Sequence, residues 1–223
     1  MNLAFASSKG GVGKSTACAS IAALLADRGD RVIILDLDDN QTLTRWSKSA
    51  NIENLDVLHV DPANFSDIYR SDAVKGGGYD HILIDLAGAK DDKAFVHAMG
   101  RAHLVIIPAQ HSEPDLREAI VVIKYLNEIQ ETFDRTIPYR VLFNSVRPLG
   151  SKVDRFIMDQ AAEKGVKRFD TMWIDRVAYR EMFLNGVPPH KREPGKGAGL
   201  EVAAVLDEIT QTLADTTQLK KVG

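Results

Sequence analysis

The chain has almost no cysteine, since Cys18 is the only one among its 223 residues. It therefore cannot form an internal disulfide, and one copy cannot supply a metal or iron–sulfur site that needs several cysteines. Long apolar runs are also missing, because no stretch approaches the roughly 20 residues that cross a bilayer. The first residues lack the basic segment and apolar run of a signal peptide. These absences favour a protein of the cytoplasm.

A strong excess of charge of one sign is missing as well. The net charge is −3, from 28 basic and 31 acidic side chains, so nothing overall indicates nucleic-acid binding. Any such binding must depend on a local basic patch. The six histidines show no metal-ligand spacing such as H-E-x-x-H. Chain length and 44% hydrophobic residues fit a single domain over residues 1–223.

Short runs that are apolar on both faces alternate with amphipathic stretches. Such runs are typical of parallel strands that are covered by helices on both sides. The candidate strands are Leu3–Ala6, Val32–Leu35, Val57–Val60, Ile82–Ile84, Leu104–Ile107 and Val141–Phe143. This alternation predicts an α/β fold with a doubly wound, mainly parallel sheet and helices on both faces. Ligands of such sheets bind at the carboxyl ends of the strands.

Helix ends can be placed from local signals. Ser112–Asp115, with the sequence S-E-P-D, has the pattern of a capping box at a helix start. Ser151–Asp154 repeats that start signal. The last helix is expected over about residues 199–213, with Leu200 among its inward-facing residues. A frayed tail is expected over residues 216–223.

A glycine-rich segment, SKGGVGKST, lies between the first candidate strand and the first helix, where a phosphate loop belongs. Its three glycines allow backbone N–H groups to approach phosphate oxygens without a Cβ in between. Lys14 would contact the β- and γ-phosphates, and the Ser15 hydroxyl would bind Mg²⁺. The residues of this loop expected to bind the nucleotide are Gly10, Gly11, Val12, Gly13, Lys14, Ser15 and Thr16.

Carboxylates follow two of the candidate strands. The second strand runs into Asp36 and Asp38, whose spacing of two puts both on one side of an extended chain. The run Ile82-Leu-Ile-Asp85 has the form of a Walker B motif, in which Asp85 would hold Mg²⁺ through water. A phosphoryl-transfer site needs one acid group near Mg²⁺ and one that orients or deprotonates water. Without the upstream loop, an acidic turn would be the default interpretation.

The loop also has an unusual feature, because Ser8 stands where the common pattern G-x-x-x-x-G-K-[ST] has its first glycine. With Lys9 next to it, the loop resembles the deviant Walker A motif K-G-G-x-G-K-[ST] of the ParA/MinD superfamily of P-loop ATPases. The segment DLDDNQTLTRW is similar to small ParA-type partition ATPases and to VirC-type ParA relatives that promote DNA transfer. Asp39 replaces a proline that is usual in the family, and Leu86-Ala87-Gly88 replaces its frequent T-P-P.

The resemblance implies roles for single residues. Lys9 would reach the ATP of the partner subunit and act in catalysis with Lys14, and Asp38 would position the attacking water. Asp36 would support the metal side, and Asn144 would contact adenine. The implied activity is a weak ATPase that forms a homodimer on Mg·ATP and binds DNA without sequence preference on the nucleoid. A ParB-like or other adaptor protein would stimulate hydrolysis.

Groups of basic residues in the second half could be solvated faces, as runs of charge usually are. The resemblance makes them candidates for a DNA-binding surface on the dimer. The candidates are Lys164, Lys167, Arg168, Arg176, Arg180, Lys191 and Arg192. Such binding would be strongly salt-dependent.

Two other functions remain open from sequence. One is a P-loop enzyme that phosphorylates a small molecule, against which Lys9 argues. The other is a MinD-like membrane-positioning ATPase, which would carry a C-terminal amphipathic helix. Residues 216–223 contain no aromatic residue and only two lysines, so no membrane partner is expected. The cargo could be a plasmid, a DNA-transfer complex or a protein assembly.

Overall fold

A computed structural model describes residues 1–88, 93–147 and 152–222. Six strands form one sheet in the order β3-β2-β4-β1-β5-β6, and every pairing between these strands is parallel. The strands are β1 (Asn2–Phe5), β2 (Val32–Asp36), β3 (Leu55–His59), β4 (His81–Asp85), β5 (Leu104–Gln110) and β6 (Tyr139–Asn144). All six candidate strands are therefore present, and the predicted α/β class is confirmed.

Helices cover both faces of this sheet. They are α1 (Lys14–Asp27), α2 (Thr42–Ala50), α3 (Phe65–Arg70), α4 (Lys93–Arg101), α5 (Glu113–Phe133), α6 (Lys152–Glu163), α7 (Val177–Asn185), α8 (Pro189–Arg192) and α9 (Gly197–Val222). No helix in the described ranges has the length and apolar character needed to cross a membrane.

Two hydrophobic clusters lie on opposite sides of the sheet. Along β1, Leu3 and Phe5 belong to the cluster beneath α1, α7 and α9, whereas Ala4 belongs to the cluster beneath α4 and α5. Successive side chains of a strand point to opposite faces of the sheet, so neighbouring residues of β1 belong to different clusters. Because both faces are covered, all five residues of β2 are buried, which explains the continuous apolar runs in the sequence.

The strand order places the carboxyl end of β1 at a switch point. The chain leaves β1 toward β2 on one side, returns to β4, and then crosses to β5 on the other side of β1. Crevices at such positions are the ligand sites of doubly wound sheets. The phosphate loop follows β1 directly and opens α1, so the fold puts the loop in this crevice.

Helix α9 differs from its prediction in length and in its buried face. It begins at Gly197 and extends to Val222, well into the segment expected to be frayed, because no glycine or proline interrupts residues 200–222. Leu200 was expected inside but is 56% exposed. The buried stripe instead starts at Ala198 and continues with Val202, and Leu200, two residues from each, points to the opposite side.

The predicted start of α5 at Ser112 is confirmed, but only one half of the capping box forms, because the Ser112 backbone N–H donates to the Gln110 carbonyl and not to Asp115. Ser112 is the N-cap, and its hydroxyl accepts a hydrogen bond from the Asp115 backbone N–H at 3.2 Å. Such a cap satisfies one of the unpaired amides of the first turn. The second predicted start, at Ser151, lies outside the described residues.

Candidate nucleotide-binding site

The phosphate loop has the backbone conformation that its glycines allow. Gly11 and Gly13 both have positive φ, at 76° and 90°, and Gly13 is the N-cap of α1. A Cβ on Gly13 would lie 2.7 Å from Nδ2 of Asn144, which donates a hydrogen bond to the Val12 carbonyl at 2.6 Å. Gly13 therefore permits both the turn and the close contact between the loop and the end of β6.

We expect Gly13→Ala to lower the free energy of unfolding by at least about 1–2 kcal/mol, the cost of a left-handed conformation for an L-residue. The clash with Asn144 should add to that loss. Gly10→Ala is the matched control, because a Cβ at Gly10 has open space and Gly10 has no positive φ. Urea unfolding of both variants checks this, and equal stabilities would contradict the described loop geometry.

Lys14 points into the loop. Its Nζ lies 2.9 Å from the Ser7 hydroxyl oxygen and 3.3 Å from the Lys9 carbonyl oxygen, and Lys14 is only 6% exposed. Burial lowers the pKa of Lys14, while the nearby carboxylates of Asp85 and Asp38 oppose that shift. The Lys14 amine is thus a cation in a confined space, where nearby carboxylates only partly offset the cost of its burial. Phosphate oxygens would supply further negative charge and hydrogen-bond acceptors.

Ser15 and Asp85 meet beneath the loop. The Ser15 hydroxyl donates to Oδ2 of Asp85 at 2.6 Å, and Asp85 is almost completely buried. Its other oxygen, Oδ1, is buried without a hydrogen-bond partner among the described residues. Burial raises the pKa of Asp85 to about 7, against the opposing effects of Ser15 and Lys14. The unpaired carboxylate oxygen of Asp85 and the neighbouring Ser15 hydroxyl are oxygen ligands of the kind that Mg²⁺ prefers.

The two carboxylates after β2 have different surroundings. Asp36 is fully buried, and its Oδ2 accepts hydrogen bonds from the backbone N–H and hydroxyl of Thr44, both at 3.0 Å. It therefore ties the end of β2 to the first turn of α2. Asp38 is partly exposed, and its Oδ1 accepts hydrogen bonds from the backbone N–H and side chain of Asn40, at 2.9 and 2.8 Å.

A cavity of about 540 Å³, here called the loop cavity, lies in front of these groups. Its walls join the phosphate loop to the segments after β2 and β4. The lining includes Gly10, Gly11, Gly13, Lys14, Ser15, Thr16, Asp38, Ala87, Gly88 and Phe183. The structure therefore brings Lys14, Ser15 and Asp38 to one cavity. Asp36 and Asp85 lie behind this lining, where β2 and β4 pair them residue to residue.

Lys9 lies outside the loop cavity, as far as the described lining shows. Its Nζ lies 3.1 Å from Oδ1 of Asp115 on α5, with the Lys9 side chain 52% exposed and that of Asp115 only 5%. The neighbouring Ser8 hydroxyl donates to Glu118, on the same helix. The two lysines of the loop thus point in different directions, one inward and one toward the surface at α5.

A second cavity, of about 300 Å³, adjoins the first and is here called the side cavity. Gly11, Gly13, Thr16 and Phe183 line both cavities. Asn144 lines the side cavity, and its contact with adenine stays a prediction. The other lining residues are Ser145, Trp173, Ile174, Asp175, Arg176, Tyr179 and Arg180.

Most of the side cavity was not identified from sequence. Its wall comes from residues 173–183, far along the chain from the phosphate loop. Of these residues, only Arg176 and Arg180 were proposed from sequence as site residues, and only as candidates for a DNA-binding surface. Neither the stacked pair of Trp173 and Tyr179, with ring centroids 4.8 Å apart, nor Phe183 has a motif of its own.

The basic residues proposed from sequence for DNA binding are in four different environments. Arg176 and Arg180 line the side cavity and pair with Glu201 and Asp175. Lys191 pairs with Asp27, and Arg192 with Glu181. Arg168 is partly buried and donates to the Phe169 carbonyl. Lys164 and Lys167 are exposed, and they have no carboxylate partner within residues 1–88, 93–147 and 152–222.

Comparison with known proteins gives a consistent result. A family model described as "VirC1 protein" matches residues 1–219. Protein ParA of Rhizobium radiobacter is 30% identical over 225 residues, covering 93% of this chain and 97% of that protein. Protein virC1 of Rhizobium rhizogenes is 31% identical over 153 residues, covering 66% of this chain and 65% of that protein.

A solved structure shows the same fold. The apo McdA of Cyanthece matches with a TM-score of 0.74, covering 92% of this chain and 98% of that one, at 17% identity. At this identity the match shows the fold alone. The roles of the site residues therefore depend on the geometry described above.

Proposed function

The chain belongs to the VirC1 family, within the ParA/MinD superfamily of P-loop ATPases, and we propose that it dimerises on Mg·ATP and then binds DNA without sequence preference. Hydrolysis returns it to the monomer, and an adaptor protein stimulates that step. The cycle would position or segregate a plasmid or a DNA-transfer complex on the nucleoid. The ATPase activity of the family would be carried out by this chain's own residues.

The orientation of the two loop lysines carries the proposal. Lys14 faces the loop cavity, where the γ-phosphate would lie, and Lys9 is half exposed at the edge of α5. A lysine that serves only its own nucleotide would be expected to face inward. Lys9 is instead placed to leave Asp115 and reach a nucleotide in a second copy. Asp115 is only 5% exposed, so leaving this half-buried ion pair has a cost, which the charge-assisted contacts of Lys9 with phosphate oxygens would have to offset.

The residues of the loop cavity suit hydrolysis. Mg²⁺, held by Ser15 and Asp85, would supply charge that compensates the phosphates. Lys14 neutralises charge on the transferred phosphoryl group. Asp38 faces the same cavity with one oxygen fixed by Asn40, which leaves its carboxylate placed to orient a water molecule. Asp36 accepts a hydrogen bond from Thr44 of α2, which holds in place the segment that carries Asp38. Through this contact Asp36 would support the side of the site where the metal binds.

ATP shifts the monomer–dimer equilibrium only by its preference for the dimer. A phosphate contact from the partner's copy of the loop exists only in the dimer and would supply that preference. ADP lacks the γ-phosphate, so the contact weakens after hydrolysis. Dimerisation and its reversal would thus follow directly from the chemistry of the site.

Retention on DNA tests the proposal. With non-hydrolysed ATP analogue and Mg²⁺, the wild-type protein should be retained on DNA of any sequence, whereas without nucleotide it should pass through. Retention that does not depend on nucleotide would contradict the switch. A substrate-dependent ATPase with no DNA effect would instead support a small-molecule kinase.

For the DNA contact itself we propose Lys164 and Lys167, because they are exposed and unpaired in the described part of the chain. Replacing both by alanine should lower the log–log salt slope of DNA binding by about 2 per subunit, at about 0.9 per phosphate contact. Lys191→Ala is the matched control, since Lys191 is already paired with Asp27. Binding titrations over a salt series check this, and an unchanged slope in the double variant would exclude the pair.

A further inference from the structure

Glu201, on α9, is bound on one side by the wall of the side cavity. Its Oε1 accepts hydrogen bonds from Nε and Nη2 of Arg176, at 2.8 and 2.7 Å. Its Oε2 accepts from the Tyr179 hydroxyl at 3.0 Å and from the Ile174 backbone N–H at 3.2 Å. The Trp173 indole N–H reaches the Glu201 carbonyl oxygen at 3.3 Å. The side chain of Glu201, 12% exposed, thus binds three residues of this segment, and its backbone carbonyl binds a fourth.

The partners of Glu201 are themselves lining residues of the side cavity. Trp173, Ile174, Arg176 and Tyr179 all belong to that lining. The rings of Trp173 and Tyr179 are stacked with an angle of 14° between their planes. An aromatic pair and a guanidinium plane are surfaces on which a nucleobase stacks favourably. The orientation of these surfaces depends on where Glu201 holds them.

The charge of Glu201 fits this arrangement. Its hydrogen bond raises the pKa of Arg176, and the guanidinium is a permanent cation and donor in any case. Burial and then the charge of Glu201 raise the pKa of Tyr179, so the phenol stays protonated and remains a donor. Both partners are therefore fixed as donors to a single carboxylate.

We propose that Glu201 is a positioning residue for nucleotide binding: it holds Arg176 and Tyr179 in the side-cavity wall against which the nucleoside of the bound nucleotide packs. Glu201 does not line the cavity in the described structure, so it acts through these two residues. The inference rests on the proposed function, because it assumes that the triphosphate lies in the phosphate loop. It adds a coupling between the nucleoside and α9.

A matched control lies two turns further along α9. Glu208 accepts hydrogen bonds from the backbone N–H groups of Asp170 and Thr171, at 2.7 and 2.9 Å. It thus anchors the same segment of chain to the same helix. Asp170 and Thr171 are not among the described lining residues of the side cavity.

The experiment compares two ligands that share the phosphates but not the nucleoside. Mg·ATP and magnesium tripolyphosphate are titrated by calorimetry into wild-type protein, Glu201→Gln and Glu208→Gln. Glu201→Gln replaces one carboxylate oxygen by an NH₂ group, which is a donor and would face the donors of Ile174, Arg176 or Tyr179. These residues should then no longer be held in place in the wall of the side cavity. We expect ATP affinity to fall about tenfold, equivalent to about 1.4 kcal/mol, with tripolyphosphate affinity unchanged. Glu208→Gln should bind both ligands as the wild type does.

Several outcomes would overturn the inference. They are unchanged ATP affinity in Glu201→Gln, an equal loss for both ligands, or the same selective loss in Glu208→Gln. If Glu201→Gln does not fold, Arg176→Gln tests the same wall from its partly exposed side and should give the same selective loss. A wild-type protein that binds neither ligand would instead refute the proposed function, so the two failures can be told apart.

Discussion

Replacement of Lys14 by alanine should abolish ATP binding at concentrations that saturate the wild-type protein. Lys14 is the loop cation that faces the loop cavity, with its Nζ held between the Ser7 hydroxyl and the Lys9 carbonyl. Hydrogen bonds to charged groups contribute about 1.5–3 kcal/mol each. Loss of two phosphate contacts should therefore weaken ATP binding by at least about a hundredfold.

The same variant should fold normally without nucleotide. Burial lowers the pKa of Lys14, which means that its charged form is held at a cost in the empty loop. Removing that charge should leave the free energy of unfolding nearly unchanged. Calorimetric titration with Mg·ATP, together with urea unfolding, checks both statements. Wild-type affinity in Lys14→Ala would show that the triphosphate does not lie in this loop.

Nucleotide-driven DNA binding should disappear in the same variant, because an empty loop gives no preference for the dimer. Lys9→Ala is the informative comparison. Lys9 lies outside the loop cavity, so single subunits of Lys9→Ala should still bind ATP, whereas dimerisation and hydrolysis should be lost. Identical ATP affinities in Lys14→Ala and Lys9→Ala would contradict the different orientations of the two side chains.

Asp38→Ala should have a different effect from Lys14→Ala. Asp38 faces the loop cavity but is not part of the phosphate loop, so ATP binding and dimerisation should persist. Hydrolysis should fall by about 10²–10⁴-fold, the usual contribution of a group that orients or deprotonates a nucleophile. The expected product is a dimer that holds ATP and stays on DNA.

A matched variant for Asp38 is Asp39→Ala. Asp39 also lines the loop cavity, but its side chain is exposed, whereas Asp38 is partly buried with one oxygen fixed by Asn40. Replacing Asp39 removes the same charge from the same segment without removing the oriented carboxylate. It should hydrolyse ATP at close to the wild-type rate. Phosphate release under single-turnover conditions distinguishes the two variants, and normal turnover in Asp38→Ala would remove Asp38 from the mechanism.

The sequence was sufficient for the sheet and for the phosphate loop. All six strands were located because each contains a short, mostly apolar run that ends in polar or turn residues. Both faces of the inner strands are covered, whereas β3, at the edge of the sheet, is not fully buried. The phosphate loop, Asp85 and Asn144 come together because each lies at the carboxyl end of a parallel strand, and these ends meet at one edge of the sheet. Residues of this kind are fixed by local pattern and topology.

Other features depend on contacts between distant segments and could not be found from local patterns. The wall at residues 173–183 reaches the phosphate loop through backbone hydrogen bonds of Trp173 and Asp175 to the end of β6, and through packing of α7 on α2 and of α9 on α1. Pairing of Arg176 with Glu201 is one such contact, and it places Arg176 at the side cavity although its charge suggested a DNA surface. Leu200 was placed on the wrong face because the stripe of α9 starts at Ala198.

Mixing of two inactive variants tests most directly whether Lys9 acts on the nucleotide of a second copy. Lys9→Ala keeps Lys14 and Asp38 but has no lysine to donate, and Asp38→Ala keeps Lys9 but cannot orient water. A mixed dimer then has one complete site, formed by the Lys9→Ala subunit's own residues and the lysine of its partner. Equal mixing should raise ATP turnover above that of either variant alone. About a quarter of wild-type turnover is the upper limit, which holds for random pairing, where half of the dimers are mixed and each has one complete site of two. Turnover of the mixture no higher than that of the separate variants, at concentrations where Asp38→Ala dimerises, would contradict the account.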